Sequence, residues 1–123
     1  KTLVDVREVA NSRRAGFSKK SLAAALDEAG ISYIHMKSLG TPKLGREAAR
    51  KGDTTTMTRI FEARLVEPES QLALAETANL AQRQRTCIMC LEHDWRVCHR
   101  AIVAGRIEDE FGLKPQHLSP EPR

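Results

Sequence analysis

One segment of the sequence concentrates the side chains that could do chemistry. Residues 87–100, CIMCLEHDWRVCHR, contain three cysteines, two histidines, two carboxylates and two arginines, directly after a short apolar run. Thiolates and imidazoles bind soft metal ions and also serve as nucleophiles and bases in catalysis. The segment therefore allows three interpretations: a zinc site, a phosphatase-like thiol loop, or a reactive cysteine at the start of a helix.

The zinc interpretation would use Cys87, Cys90, Cys98 and His99 as tetrahedral ligands. Side chains alternate between the two faces of a strand, so Cys87 and Cys90 should point to opposite sides of a strand over 86–92 and cannot share an ion. The segment also lacks the glycines that commonly accompany cysteine pairs in zinc turns. We therefore predict no metal ligand here and a core position for Cys87, with zinc binding kept as an alternative.

The phosphatase interpretation rests on Cys90 and Arg96, which have five residues between them. A strand-end thiolate and an arginine at this spacing can cradle a phosphoryl group. Such loops need backbone N–H groups that face the anion, and glycine helps that approach. Residues 91–95 contain no glycine, and Glu92 and Asp94 would repel a phosphate. This interpretation is disfavoured.

The third interpretation concerns Cys98, His99 and Arg100, at the start of a predicted helix. The positive end of a helix lowers the pKa of a thiol from about 8.5 and favours the thiolate. Arg100 and the free backbone N–H groups could hold an anion. A structural alternative stays open, in which Cys98 is buried and Arg100 pairs with Glu92 or Asp5.

Residues after the first strand could add to an anion site. Arg7, Ser12 and Arg13 could form an anion cup there. Asp5 is costly to bury unless it is paired, and a bridge to Arg7 or Arg100 is the economical structural explanation.

Strand and helix patterns alternate along the chain and would position these residues. We predict strands over 2–7, 31–36, 86–92 and 116–119, helices over 19–29, 55–65, 69–85 and 96–111, a mobile loop over 37–54, and a helix stop at Gly112.

This alternation predicts a three-layer, Rossmann-like α/β fold, with a mainly parallel sheet of about four strands and helices on both faces. Residues 1–118 would form one domain, and 119–123 a loose tail. Ligands of such sheets bind beyond the carboxyl ends of the strands. Six residues should therefore converge on one edge: Asp5, Arg7, His35, Lys37, Cys90 and Glu92.

Composition narrows the class of protein. The chain has 123 residues, of which 41% are hydrophobic and 29% charged, and it contains no apolar stretch long enough to span a membrane. Its three clustered cysteines predict free thiols in a reducing, cytoplasmic setting. Residues 1–64 carry 13 Lys and Arg against 7 Asp and Glu, which permits an anionic partner. No nucleotide-binding fingerprint is present, and no cofactor is predicted.

Three stretches together resemble the small bacterial family called domain of unknown function 488: LVDVR (3–7), residues 11–40 and residues 87–107. The family's recurring positions fall here on Asp5, Arg7, Ser12, Arg13, Phe17, Leu39, Gly40, Cys90, Glu92, Cys98, His99 and Arg100. The resemblance implies an intracellular α/β protein and supplies no activity. Relatives usually begin with a further strand and helix, which this sequence lacks, and Cys87 and Arg96 are outside the recurring pattern.

Together these observations predict one polar pocket for a phosphate-bearing ligand, a nucleotide or nucleic acid. The candidate catalytic residues are Cys98 or Cys90 as nucleophile and Glu92 or His99 as acid or base. The candidate anion-binding residues are Arg7, Ser12, Arg13 and Arg100, with Asp5 beside them. The alternatives are a non-catalytic interaction module, in which the charged cluster is structural, and a zinc-binding protein. The oligomeric state is left open.

Overall fold

Short strands alternate with helices in the computed structural model, which describes residues 1–10, 15–90 and 98–118. Within these ranges the elements are β1 (Thr2–Asp5), α1 (Lys19–Glu28), β2 (Ser32–His35), a 3-10 turn (Lys37–Leu39), α2 (Lys43–Arg50), α3 (Thr54–Leu65), α4 (Pro68–Arg83), β3 (Thr86–Met89) and α5 (His99–Phe111). The predicted mixture of α and β elements is confirmed.

The three strands form a parallel sheet with β1 in the centre, in the order β2-β1-β3. The register places Asp5 beside His35 on one side and beside Met89 on the other. The carboxyl ends of the strands are therefore level with one another. The predicted fourth strand is not found in the described residues, because 116–118 have no regular structure and residue 119 lies outside them. The Rossmann-like layering stays a prediction.

Four helices follow their sequence signals closely. Pro68 lies in the first turn of α4, where its missing N–H costs no hydrogen bond. Gly112 ends α5 with a φ of 71°, a left-handed conformation that glycine adopts without a steric penalty. The first residues of the predicted last helix, 96 and 97, lie outside the described ranges. Among the described helices, none has the length and apolarity to cross a membrane.

The predicted loop over 37–54 is wrong, because most of this segment is the 3-10 turn and α2. The buried residues of α2 are small, Gly45 and Ala48. A Cβ at Gly45 would lie 3.3 Å from the Cγ2 of Ile60, so α2 and α3 approach closely at this point. Small buried residues among basic ones leave little apolar periodicity to detect, which explains the wrong prediction.

A second close approach occurs at Gly40, just after the 3-10 turn. A Cβ at this position would lie 2.5 Å from the Cα of Glu8 and would collide with the Glu8 backbone nitrogen. Backbone atoms cannot rotate away as a flexible side chain can. Gly40 therefore lets the segment after β2 pack directly on the segment after β1.

We expect Gly40→Ala to lower the free energy of unfolding by about 1–3 kcal/mol, because the added methyl group would collide with the backbone of Glu8. Urea unfolding measures the change. Gly105→Ala is the matched control, since a Cβ there meets nothing within 4 Å and alanine favours the helix by up to about 1 kcal/mol. Equal losses in the two variants would contradict the packing account.

Candidate functional site

A buried ion pair lies at the carboxyl end of β1. Asp5 is 0% exposed and Arg7 is 5% exposed. The Arg7 Nε and Nη2 donate to the Asp5 carboxylate at 2.9 and 2.7 Å, and Nη1 donates to the Phe17 carbonyl at 2.7 Å. The Tyr33 hydroxyl donates to Asp5 at 2.5 Å. The Arg7 guanidinium thus donates to protein acceptors. This agrees with the structural alternative, in which Arg7 pairs with Asp5, and leaves Arg7 less able to bind an external anion.

The charges of this pair are set by its hydrogen bonds. Burial alone would raise the pKa of Asp5, but hydrogen bonds from Arg7 and Tyr33 outweigh it and lower the pKa below its ordinary value of 3.8. Burial and the bond to Asp5 raise the pKa of Tyr33 to about 12. At neutral pH the carboxylate is therefore ionised and the phenol keeps the proton that it donates.

Two cysteines meet at the same edge of the sheet. Cys90 follows β3, and Cys98 is the N-cap residue of α5, where its sulfur accepts from the Arg100 backbone N–H at 3.5 Å. The two sulfur atoms lie within covalent bonding distance, and the Cα atoms are 7.7 Å apart. The prediction of free thiols is therefore wrong for this pair, because the sheet edge and the helix start bring together residues eight positions apart.

Cys87 differs from the other two cysteines. It is a free cysteine and it is exposed, so the predicted core position is wrong. Cys90, three residues later and just after the end of β3, is only 8% exposed. The structure thus agrees that Cys87 and Cys90 do not share a site, although the buried partner is Cys90 and not Cys87.

His99 places an imidazole beside the cysteine pair. Its Nε2 lies 2.9 Å from the Val6 carbonyl oxygen, and its Nδ1 lies 3.7 Å from the Cys98 sulfur. A carbonyl only accepts, so Nε2 carries the hydrogen, and in the neutral ring Nδ1 presents its lone pair toward Cys98. Burial lowers the pKa of His99 below 6.5, which favours this neutral form.

The packing of His99 was not predicted from the sequence. Its ring meets the Phe61 ring edge-on, with centroids 4.9 Å apart. Phe61 carries only an apolar-periodicity signal, and the carbonyl of Val6 carries none, because every residue has a carbonyl. Neither contact could be read from residue types.

Cys90, Cys98 and His99 form one compact group of potential ligands. One donor atom from each residue lies within 4.8 Å of the others, and all three residues are buried. The expected convergence at the strand ends is therefore present for these residues and for Asp5 and Arg7, since His99 contacts the carbonyl of Val6 between the members of the ion pair.

The other predicted site residues are placed as follows. His35 lies at the same edge, with its Nε2 2.6 Å from the Arg7 carbonyl oxygen. Lys37 is exposed, and Arg100 is partly buried in the first turn of α5. Ser12, Arg13 and Glu92 lie outside the described residues, as do Arg96 and the remainder of the proposed phosphatase loop. The described part of the edge thus contains the Asp5–Arg7 ion pair, His35, and the group formed by Cys90, Cys98 and His99.

We expect Asp5→Asn to lower the free energy of unfolding by about 3–5 kcal/mol, because it leaves the Arg7 charge buried without its counter-ion. Chemical denaturation measures this loss. Asp109→Asn, at an exposed position of α5, is the control and should change stability by less than about 0.5 kcal/mol. A similarly small change in the free energy of unfolding of both variants would show that the ion pair does not stabilise this edge of the sheet.

The lowered pKa of Asp5 also predicts a pH dependence. In the unfolded chain Asp5 titrates near 3.8 and in the folded chain below it, so its stabilising contribution is complete above that pH. The contribution is lost as the pH falls through the lower, folded pKa. Between pH 5 and 2 the stability of the unmodified protein should therefore fall more steeply than that of Asp5→Asn. Parallel curves would contradict the assignment.

Comparison with known proteins adds the family. The sequence profile described as "Domain of unknown function DUF488" matches residues 1–107, most of the chain. No curated protein and no solved structure matches the chain. The match includes both halves of the described site, the β1 end and the start of α5. The chain therefore belongs to the DUF488 family.

Proposed function

We propose that the protein binds a divalent metal ion of intermediate softness, with Zn²⁺ as the first candidate, through Cys90, Cys98 and His99. The observation that carries this proposal is the buried group of three donor atoms, all within 4.8 Å of one another. Thiolate and imidazole are the ligands that zinc prefers in proteins. This ligand set differs from the four-residue set considered from the sequence, because it omits Cys87.

The backbone spacing of the cysteines supports an ion between them. Relaxed disulfides have Cα atoms about 4.4–6.8 Å apart, whereas those of Cys90 and Cys98 are 7.7 Å apart. Tetrahedral zinc with Zn–S bonds of about 2.3 Å holds two sulfurs roughly 3.8 Å from each other. Rotation of the two side chains would open that space, and the backbone spacing already allows it.

The surroundings of His99 also support the proposal. Histidines that bind metals usually donate the other ring N–H to a carbonyl or carboxylate, which fixes the tautomer and the ring orientation. The bond from Nε2 to the Val6 carbonyl has this form and leaves Nδ1 for the ion. The edge-on contact with Phe61 further restricts the ring.

Electrostatics favour thiolates at this position. Cys98 caps the amino end of α5, where the helix dipole stabilises negative charge. Two thiolates neutralise a divalent ion, so the buried group would carry no net charge. Three protein ligands are also the number that catalytic zinc sites use, with water or substrate in the fourth position.

The proposal changes the roles suggested by the sequence. As metal ligands, Cys90, Cys98 and His99 are not also a free nucleophile and base. A phosphate-bearing ligand, whether a nucleotide or a nucleic acid, stays a prediction, and so does an interaction module. The commitment of Arg7 to Asp5 supports a structural role for that part of the charged cluster.

We expect the reduced protein to bind one Co²⁺ ion and to show thiolate-to-cobalt charge-transfer absorption, which Zn²⁺ abolishes by displacement. Cys90→Ser, Cys98→Ser and His99→Phe each remove one donor atom and should weaken binding at least about 100-fold, as much as or more than the loss of an outer-shell partner. Optical titration under a reductant measures both effects.

Cys87→Ser is the matched control, because it removes a cysteine from the same segment without touching the group. Its affinity should equal that of the unmodified protein. Absence of thiolate-to-cobalt bands in the reduced protein, or equal loss of affinity in Cys87→Ser, would overturn the proposed site.

A further inference from the structure

We infer that this metal centre is also a redox switch, in which a peroxide oxidises Cys90 and Cys98 to a disulfide and the ion is expelled. The inference rests on the proposed metal site and adds its regulation. It is carried by the contact between the two sulfur atoms, which lie within covalent bonding distance in the folded chain.

The geometry selects one product of oxidation. Cys90 and Cys98 are 8% and 4% exposed, and each sulfur has the other as its neighbour. Cys87 is exposed and is not part of the group. A thiolate that reacts with peroxide is therefore met by the other sulfur of the pair, and the disulfide joins Cys90 to Cys98.

The step balances with hydrogen peroxide as the oxidant. The two metal-bound thiolates lose two electrons and form one S–S bond. Peroxide gains these electrons and two protons, its O–O bond breaks, and two water molecules form. A disulfide sulfur is a poor ligand, so His99 is then the one remaining protein ligand and the ion dissociates. A dithiol or phosphine reductant returns two thiols and restores the site.

The cysteine pair lies at the start of α5. Cys98 is the N-cap residue of α5, and its neighbour His99 is bonded to the carbonyl of Val6. The switch therefore acts on the junction between α5 and the end of the central strand.

The test uses the zinc-loaded protein treated with hydrogen peroxide. A chromophoric chelator measures released Zn²⁺, and mass spectrometry after alkylation measures the disulfide. We expect one Zn²⁺ released for each Cys90–Cys98 disulfide formed, reversal by a phosphine reductant with renewed zinc uptake, and the same ratio in Cys87→Ser.

The outcomes separate the two proposals. A reduced protein that binds no zinc overturns both. A protein that binds zinc but keeps it under peroxide, or that gives sulfinic acids or a disulfide to Cys87, overturns the switch and leaves the metal site standing. Peptide mapping of the unmodified chain identifies the bridge directly, so the test does not depend on whether a Cys90→Ser variant folds.

Discussion

The buried ion pair between Asp5 and Arg7 is the interaction on which the edge of the sheet depends. It fixes the segment that leaves the central strand, and the neighbouring elements bond to that segment on both sides. Met36 donates its backbone N–H to the Asp5 carbonyl, and the Val6 N–H donates to the carbonyl of Met89. The imidazoles of His35 and His99 reach the next two carbonyls, those of Arg7 and Val6. An ionised carboxylate without its arginine would be too costly to bury here.

The position of the group formed by Cys90, Cys98 and His99 depends on this arrangement. β3 pairs with β1 and delivers Cys90 to the edge, while the bond from His99 to Val6 ties the start of α5 to the same strand. Cys98 precedes His99 and is thereby placed against Cys90. Cys90 directly follows β3, and Cys98 is the N-cap residue of α5.

Much of the fold could be predicted because its signals are periodic. The strands Thr2–Asp5 and Thr86–Met89 lie within short apolar runs between turn signals, and the helix Pro68–Arg83 follows an apolar pattern that begins at a proline. A cationic partner for Asp5 was also predictable, since a buried aspartate requires one, and the structure selects Arg7 from the two candidates, Arg7 and Arg100. The helix over Lys43–Arg50 was missed because its buried residues are small and its sequence resembles a polar loop.

The candidate site was predicted only in part, for a geometric reason. Spacing along the chain indicated that Cys87 and Cys90 cannot share an ion, but it could not show that Cys90 meets Cys98 across the sheet edge. That contact depends on where α5 begins relative to β3. Likewise, the partner of His99 is a backbone carbonyl, which residue types do not reveal. Local patterns therefore identified the segment, but they could not show that Cys90, Cys98 and His99 lie together.

X-ray absorption at the zinc edge of the reduced, zinc-loaded protein tests the central claim most directly, because it identifies the atoms bound to the ion. The account predicts two sulfur neighbours at about 2.3 Å and at least one nitrogen at about 2.0–2.1 Å. A first shell of oxygen and nitrogen alone would contradict it, since the ion would then be bound away from Cys90 and Cys98.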